Sequence, residues 1–73
     1  MIYIKEAINT LLADTTRKDI ADTIGVSQAM VSTWIQKDND FCPRVGVAAE
    51  IYKNYNIVVY PYSEEALKHV NGL

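Results

Sequence analysis

The chain has 73 residues, a formal net charge of −2, one cysteine and one histidine. This length predicts a single domain, and one cysteine permits no internal disulfide, so a reducing cytoplasm is the expected compartment. The longest wholly apolar runs, such as residues 57–60, are far shorter than the ~20 residues of a membrane helix, so no membrane span is expected. Neither a secretory signal nor a metal, cofactor or small-molecule site is expected.

Two helices are predicted in the first third of the chain. Apolar residues recur at helical spacing and predict a first helix near residues 3–13. A second helix, near 17–24, begins after Thr16, whose hydroxyl can accept a hydrogen bond from a free amide of the first turn. Gly25 ends this helix, because glycine reaches the left-handed backbone conformation without steric cost.

Two further helices are predicted in the middle of the chain. The third, near 28–37, starts after Ser27, which is expected to cap it. A polar loop follows, and the fourth helix is predicted near 45–55. The residues expected to be buried in this part of the chain include Met30, Val31, Trp34 and Cys42.

The character of the sequence changes after residue 56. Residues 57–60 are β-branched or aromatic and are bounded by turn-forming residues, which predicts one short strand. A short helix capped by Ser63 then runs to about residue 70. The expected fold is therefore mostly α, with four to five helices. It consists of a helical core over 1–56, followed by a short C-terminal β-strand and helix over 57–73.

Residues 17–36, RKDIADTIGVSQAMVSTWIQ, place two short helices on either side of a tight turn. This stretch resembles the helix-turn-helix of repressors of the phage Cro and lambda-repressor type. The resemblance covers roughly residues 4–56, and it implies a lambda-repressor-like fold and a DNA-binding transcriptional regulator. The positions that carry it are Ala21, Gly25, Val26, Ser27, Gln28, Val31 and Trp34.

The resemblance implies that the third helix lies in the major groove of double-stranded DNA. Gln28 can pair with adenine there, and Ala29 can contact a thymine methyl group. The implied base-contacting residues are Ser27, Gln28, Ala29, Ser32, Thr33 and Gln36. The implied phosphate-contacting residues are Arg17, Lys18, Lys37 and Arg44. The alternative interpretation is that this polar helix face is only solvated.

The acidic balance of the chain, with a pI near 5.1, argues against a nucleic-acid partner. Against that, no acidic residue occurs between Ser27 and Gln36, and four of the seven basic residues surround the motif. The acidic residues inside or beside it are Asp19, Asp22, Asp38 and Asp40. A protein-interaction module on the same fold, such as an antirepressor or antitoxin-like protein, is the alternative function. No arrangement of nucleophile, His and acid indicates an enzyme.

The predicted strand has an exposed edge that can pair with its own copy in a symmetric dimer. One branch of Cro proteins dimerises through such a C-terminal strand, and this tail resembles theirs. The dimerising residues would be Ile57, Val58, Val59, Tyr60 and Tyr62. The homodimer would read a pseudo-palindromic operator with half-sites about 34 Å apart, in a bacterial host's cytoplasm or nucleoid. The alternative is a segment folded back onto its own core, pairing with residues 2–4.

Overall fold

Five helices account for most of residues 2–36 and 41–70, the parts of the chain that the structure, a computed structural model, describes. The predicted mostly α architecture is confirmed, and the second and fourth helices have the predicted bounds. In chain order the helices are α1 (Ile4–Leu11), α2 (Arg17–Ile24), α3 (Gln28–Gln36), α4 (Val45–Tyr55) and α5 (Glu64–Lys68).

Serine and threonine hydroxyls cap the N-termini of three of these helices, as predicted. Each hydroxyl accepts a hydrogen bond from the backbone N–H three residues later, at 3.2 Å for Thr16 and 3.1 Å for both Ser27 and Ser63. The hydroxyls thereby satisfy amides that the first turn of a helix leaves without an intrahelical acceptor. Gly25 ends α2 with a φ of 87°, in the left-handed region, which confirms the predicted helix end.

A single core joins all five helices and the segment between α4 and α5. Trp34 is 3% exposed, which confirms that it belongs to the core. Val59 is fully buried although it lies outside the helices, so the segment after α4 is an integral part of the core. The largest fully buried side chains are Ile4, Ile8, Ile20, Val31, Ile51 and Val59.

The predicted C-terminal β-strand over residues 57–60 is wrong, since no strand is found in the described ranges. A single parallel bridge links Ile2 to Val59 instead. The N–H of Ile2 donates to the Val58 carbonyl at 3.2 Å, and the N–H of Tyr60 donates to the Ile2 carbonyl at 2.7 Å. The pairing ends there because α1 begins two residues after Ile2 and the chain turns at Tyr60. The segment thus folds back onto its own N-terminal residues.

Two residues predicted to be buried, Met30 and Cys42, lie on the surface. Met30 is 46% exposed. It precedes Val31 by one position, so it projects about 100° away from the buried side of α3. Both residues line a surface depression between α3 and the start of α4.

A polar cluster connects α5 to α4. The Tyr52 hydroxyl donates to Glu64 Oε1 at 2.9 Å, and Lys68 Nζ lies 3.3 Å from the same oxygen. The hydrogen bond from Tyr52, followed by that from Lys68, lowers the pKa of Glu64 below its ordinary value of 4.5. The bond to Glu64 raises the pKa of Tyr52 above its ordinary value of 10.0.

We expect Val59→Ala to lower the free energy of unfolding by about 2 kcal/mol, because it removes two methyl groups from a fully buried site. Val45→Ala is the matched control, since Val45 is 42% exposed and the same substitution there removes little buried surface. Urea denaturation of both variants measures the difference. Equal stability of the two variants would show that Val59 is not part of the core.

We expect the pKa of Glu64 to rise toward 4.5 in Tyr52→Phe, because this variant lacks the main cause of the lowered value. A carboxyl group whose pKa is lowered by folding stabilises the fold at any pH above its ordinary pKa. This stabilisation is lost as the pH falls through the pKa of the folded state. Tyr52→Phe should therefore lose less stability than the wild type between neutral pH and about pH 3.

The Glu64 pKa can be followed by NMR titration of its carboxyl carbon. Tyr55→Phe is the control, since it alters a tyrosine of the same helix that forms no hydrogen bond to Glu64. An unchanged Glu64 titration in Tyr52→Phe would contradict the assigned cause.

Candidate nucleic-acid interface

A tight turn joins α2 to α3 and fixes how the two helices pack. The N–H groups of Gly25 and Val26 both donate to the Ala21 carbonyl, at 2.8 and 3.0 Å. The Ala21 side chain is 1% exposed and belongs to the hydrophobic core, where a larger side chain would displace its neighbours. Ala21 therefore contributes its carbonyl to the turn and its side chain to the core.

The side of α3 that carries Val31 and Trp34 is buried, so the opposite side faces solvent. We call that side, together with the capping residue Ser27, the outer face of α3. Ser32 is half-buried there and the other members are exposed. The structure thus brings the predicted base-contacting residues onto one surface, namely Ser27, Gln28, Ala29, Ser32, Thr33 and Gln36.

Some polar groups of the outer face form hydrogen bonds within the protein, and others do not. The Ser27 hydroxyl caps α3, and the Thr33 hydroxyl donates to the Ala29 carbonyl at 2.9 Å. Within the described part of the chain, the side-chain amides of Gln28 and Gln36 form no hydrogen bond. These two amides have the free donors and acceptors that reading a base edge requires.

Three of the four predicted phosphate-contacting residues lie at the starts of helices. Arg17 and Lys18 start α2, and Arg44 directly precedes α4; all three are exposed. None of them forms an ion pair with another residue of the described ranges. Lys37 lies outside the described residues. Asp19, the nearest acid in sequence to Arg17 and Lys18, accepts a hydrogen bond from the Thr15 hydroxyl at 3.4 Å.

Arg17 and Ser32, which the sequence assigns to separate roles, are in direct contact. Arg17 Nη1 donates to Ser32 Oγ at 3.1 Å, which links the first turn of α2 to the middle of α3. The two residues are 15 positions apart and belong to different helices. No periodicity or spacing in the sequence indicates this contact, because it depends on how the helices pack.

The tail residues predicted to dimerise are only partly accessible. Val59 is fully buried, Ile57, Val58 and Tyr62 are half-buried, and Tyr60 is 43% exposed. The Tyr62 hydroxyl donates to the Pro43 carbonyl at 2.7 Å, which attaches the tail to the segment before α4. Their role in dimerisation stays a prediction.

Comparison of the chain with protein-family models, curated proteins and solved structures gives no match. Among the described residues, no three His, Cys, Asp or Glu side chains lie together as a metal site would require. None of the helices described above has the length and apolar character needed to cross a membrane.

We expect Ser27→Ala to lower the free energy of unfolding by about 1 kcal/mol, because it leaves an amide of the first turn of α3 without its cap. Ser27→Asp is the matched control, since an aspartate can also accept this hydrogen bond at a helix N-terminus. The free energy of unfolding, measured by urea denaturation, should be higher for Ser27→Asp than for Ser27→Ala. The cap would carry no stabilising role if Ser27→Ala unfolded like the wild type.

Proposed function

We propose that this protein is a sequence-specific DNA-binding transcriptional regulator, a Cro-like phage or prophage repressor. The main support is the outer face of α3, which is exposed, contains no acidic residue and offers the unengaged amides of Gln28 and Gln36. A repressor of this kind occupies its operator in the cytoplasm or nucleoid of a bacterial host and excludes polymerase.

In this proposal α3 enters the major groove, which is about 12 Å wide and admits a helix. Gln28, in the first turn of α3, pairs with the N6 and N7 groups of an adenine. Ala29 is exposed beside it and contacts a thymine methyl group. Thr33 and Gln36 extend the contact along the same face.

Lys18 and Arg44 contact the phosphates on either side of the groove, and Lys37 is a further candidate. Two to three phosphate contacts are few, and each one contributes roughly −0.9 to the slope of log affinity against log salt. The net charge of −2 adds a general repulsion from DNA. Binding should therefore be modest in affinity and should weaken as salt increases.

We further propose that the protein binds a pseudo-palindromic operator as a homodimer. Successive major grooves on one side of DNA are about 34 Å apart. The described part of the chain measures 27 × 23 × 19 Å, and each dimension is shorter than this spacing, so two copies can occupy successive grooves without overlapping. Tyr60 is the most exposed of the predicted dimerising residues, and in this proposal it contacts the second copy.

The second candidate is a protein-interaction module, such as an antirepressor or antitoxin-like protein. Met30 is 46% exposed and Val45 is 42% exposed, and both lie near the start of α4. Exposed apolar side chains of this size are suited to a protein partner. Together with the net negative charge, they are the observations that favour this alternative.

We expect the wild-type protein to enrich an inverted repeat, with half-sites one helical turn apart, from a random duplex library. Gln28→Ala combined with Ser32→Ala should weaken binding to this repeat about tenfold or more, because two polar groups that face the bases are removed. The control is Asn9→Ala combined with Thr10→Ala, which truncates two exposed polar residues of α1 and should leave binding unchanged.

The selection should be run at low and moderate salt. A single enriched half-site would keep the DNA-binding function and contradict the dimer. Enrichment of no sequence at either salt would contradict DNA binding and favour the protein-interaction module. An unchanged sequence preference in the Gln28 and Ser32 double variant would contradict the assignment of α3 to the groove.

A further inference from the structure

The Arg17 side chain extends from α2 to the outer face of α3. Its Nη1 atom donates to Ser32 Oγ at 3.1 Å. Gln28, Ser32 and Gln36 are spaced four residues apart, so they form one row along the outer face of α3. Ser32 is the middle member, and the guanidinium of Arg17 therefore lies beside the centre of this row.

The hydrogen bond uses one of the five N–H donors of the guanidinium and leaves four for a ligand. Arg17 forms no ion pair within the described residues, so its charge is not neutralised there. Ser32 is half-buried on a helix, which makes it a fixed anchor. An arginine side chain held in this way loses less conformational freedom on binding than an unattached one.

We propose that Arg17, positioned by Ser32, reads a guanine in the major groove and thereby sets the preference for one G·C pair near the middle of each half-site. This inference rests on the proposed DNA-binding function. It replaces the phosphate contact that the sequence alone assigns to Arg17.

Guanine fits this site because it presents two acceptors, O6 and N7, toward the major groove. The planar guanidinium donates to both at once, with a geometry that an ammonium group does not match. Adenine presents a donor, the N6 amino group, where guanine has O6. That amino group faces the N–H groups of Arg17 unfavourably, so the same arrangement disfavours A·T at this position.

Arg17→Lys separates base reading from phosphate contact, because lysine keeps the charge and loses the paired donors. We expect this variant to lose about tenfold or more of the discrimination between G·C and A·T at one position of the selected site. Its salt dependence should remain that of the wild type. Ser32→Ala should weaken the preference at the same position, although the charge of the protein is unchanged.

Lys18→Gln is the matched control, since Lys18 neighbours Arg17 in the first turn of α2 but forms no hydrogen bond to α3. It should weaken binding to all sequences alike and reduce the salt slope by about 0.9, with base preferences unchanged. The measurement is the position-by-position base preference of each variant, with thermal unfolding to confirm that each one folds.

A uniform loss of affinity in Arg17→Lys, with the preference for G·C retained, would overturn the reading of guanine by Arg17. A full preference for G·C in Ser32→Ala would overturn the positioning role of Ser32. Both results leave the proposed function intact. If the wild-type protein enriches no sequence, the proposed function itself fails, and that result is distinct from the other two.

Discussion

The outer face of α3 depends on the turn that the Ala21 carbonyl closes between α2 and α3. By accepting hydrogen bonds from both Gly25 and Val26, this carbonyl ends α2 and sets the direction in which α3 leaves. The left-handed conformation of Gly25 makes this change of direction possible without steric conflict. The small side chain of Ala21 then allows the helices to pack closely. Only with this packing does Arg17 meet Ser32.

The size of the chain explains why its tail takes part in the core. A domain of this length buries only roughly 60% of the surface that its unfolded chain exposes, so each buried side chain matters. Val59 and Leu67 lie outside α1–α4 and are both buried. Folding residues 57–60 back onto Ile2 buries Val59 and forms two backbone hydrogen bonds between opposite ends of the chain. A tail extended toward a partner would lose that burial in each copy.

Features that depend on neighbouring residues were predictable from the sequence, and features that depend on tertiary packing were not. The caps at Thr16, Ser27 and Ser63 and the turn at Gly25 follow from side-chain chemistry within four residues. The exposed members of the outer face of α3 follow from helical periodicity. By contrast, the bridge between Ile2 and Val59 joins distant segments. The sequence pattern at 57–60 is typical of a strand, but α1 begins at Ile4, and among the described residues the pairing is limited to the bridge at Ile2.

The distribution of charge also depends on the folded structure, whereas the net charge can be read from the sequence. The net charge of −2 is an average over the molecule, whereas DNA would meet only one face of it. Some acids are engaged by neighbouring side chains, as Glu64 is by Tyr52 and Lys68, and Glu50 is by Asn54. The cations at the start of α2 and directly before α4 form no ion pair within the described ranges.

The proposed regulator is acidic and would make few phosphate contacts, so its attachment to DNA in general would be weak, because that attachment is mostly electrostatic. Assigning Arg17 to a base reduces the number of phosphate contacts further and increases the share of the binding energy that depends on sequence. The relevant quantity in a cell is the ratio of specific to non-specific binding, since non-specific sites greatly outnumber the operator. A low general affinity is therefore compatible with regulation, provided that dimerisation doubles the number of base contacts made at once.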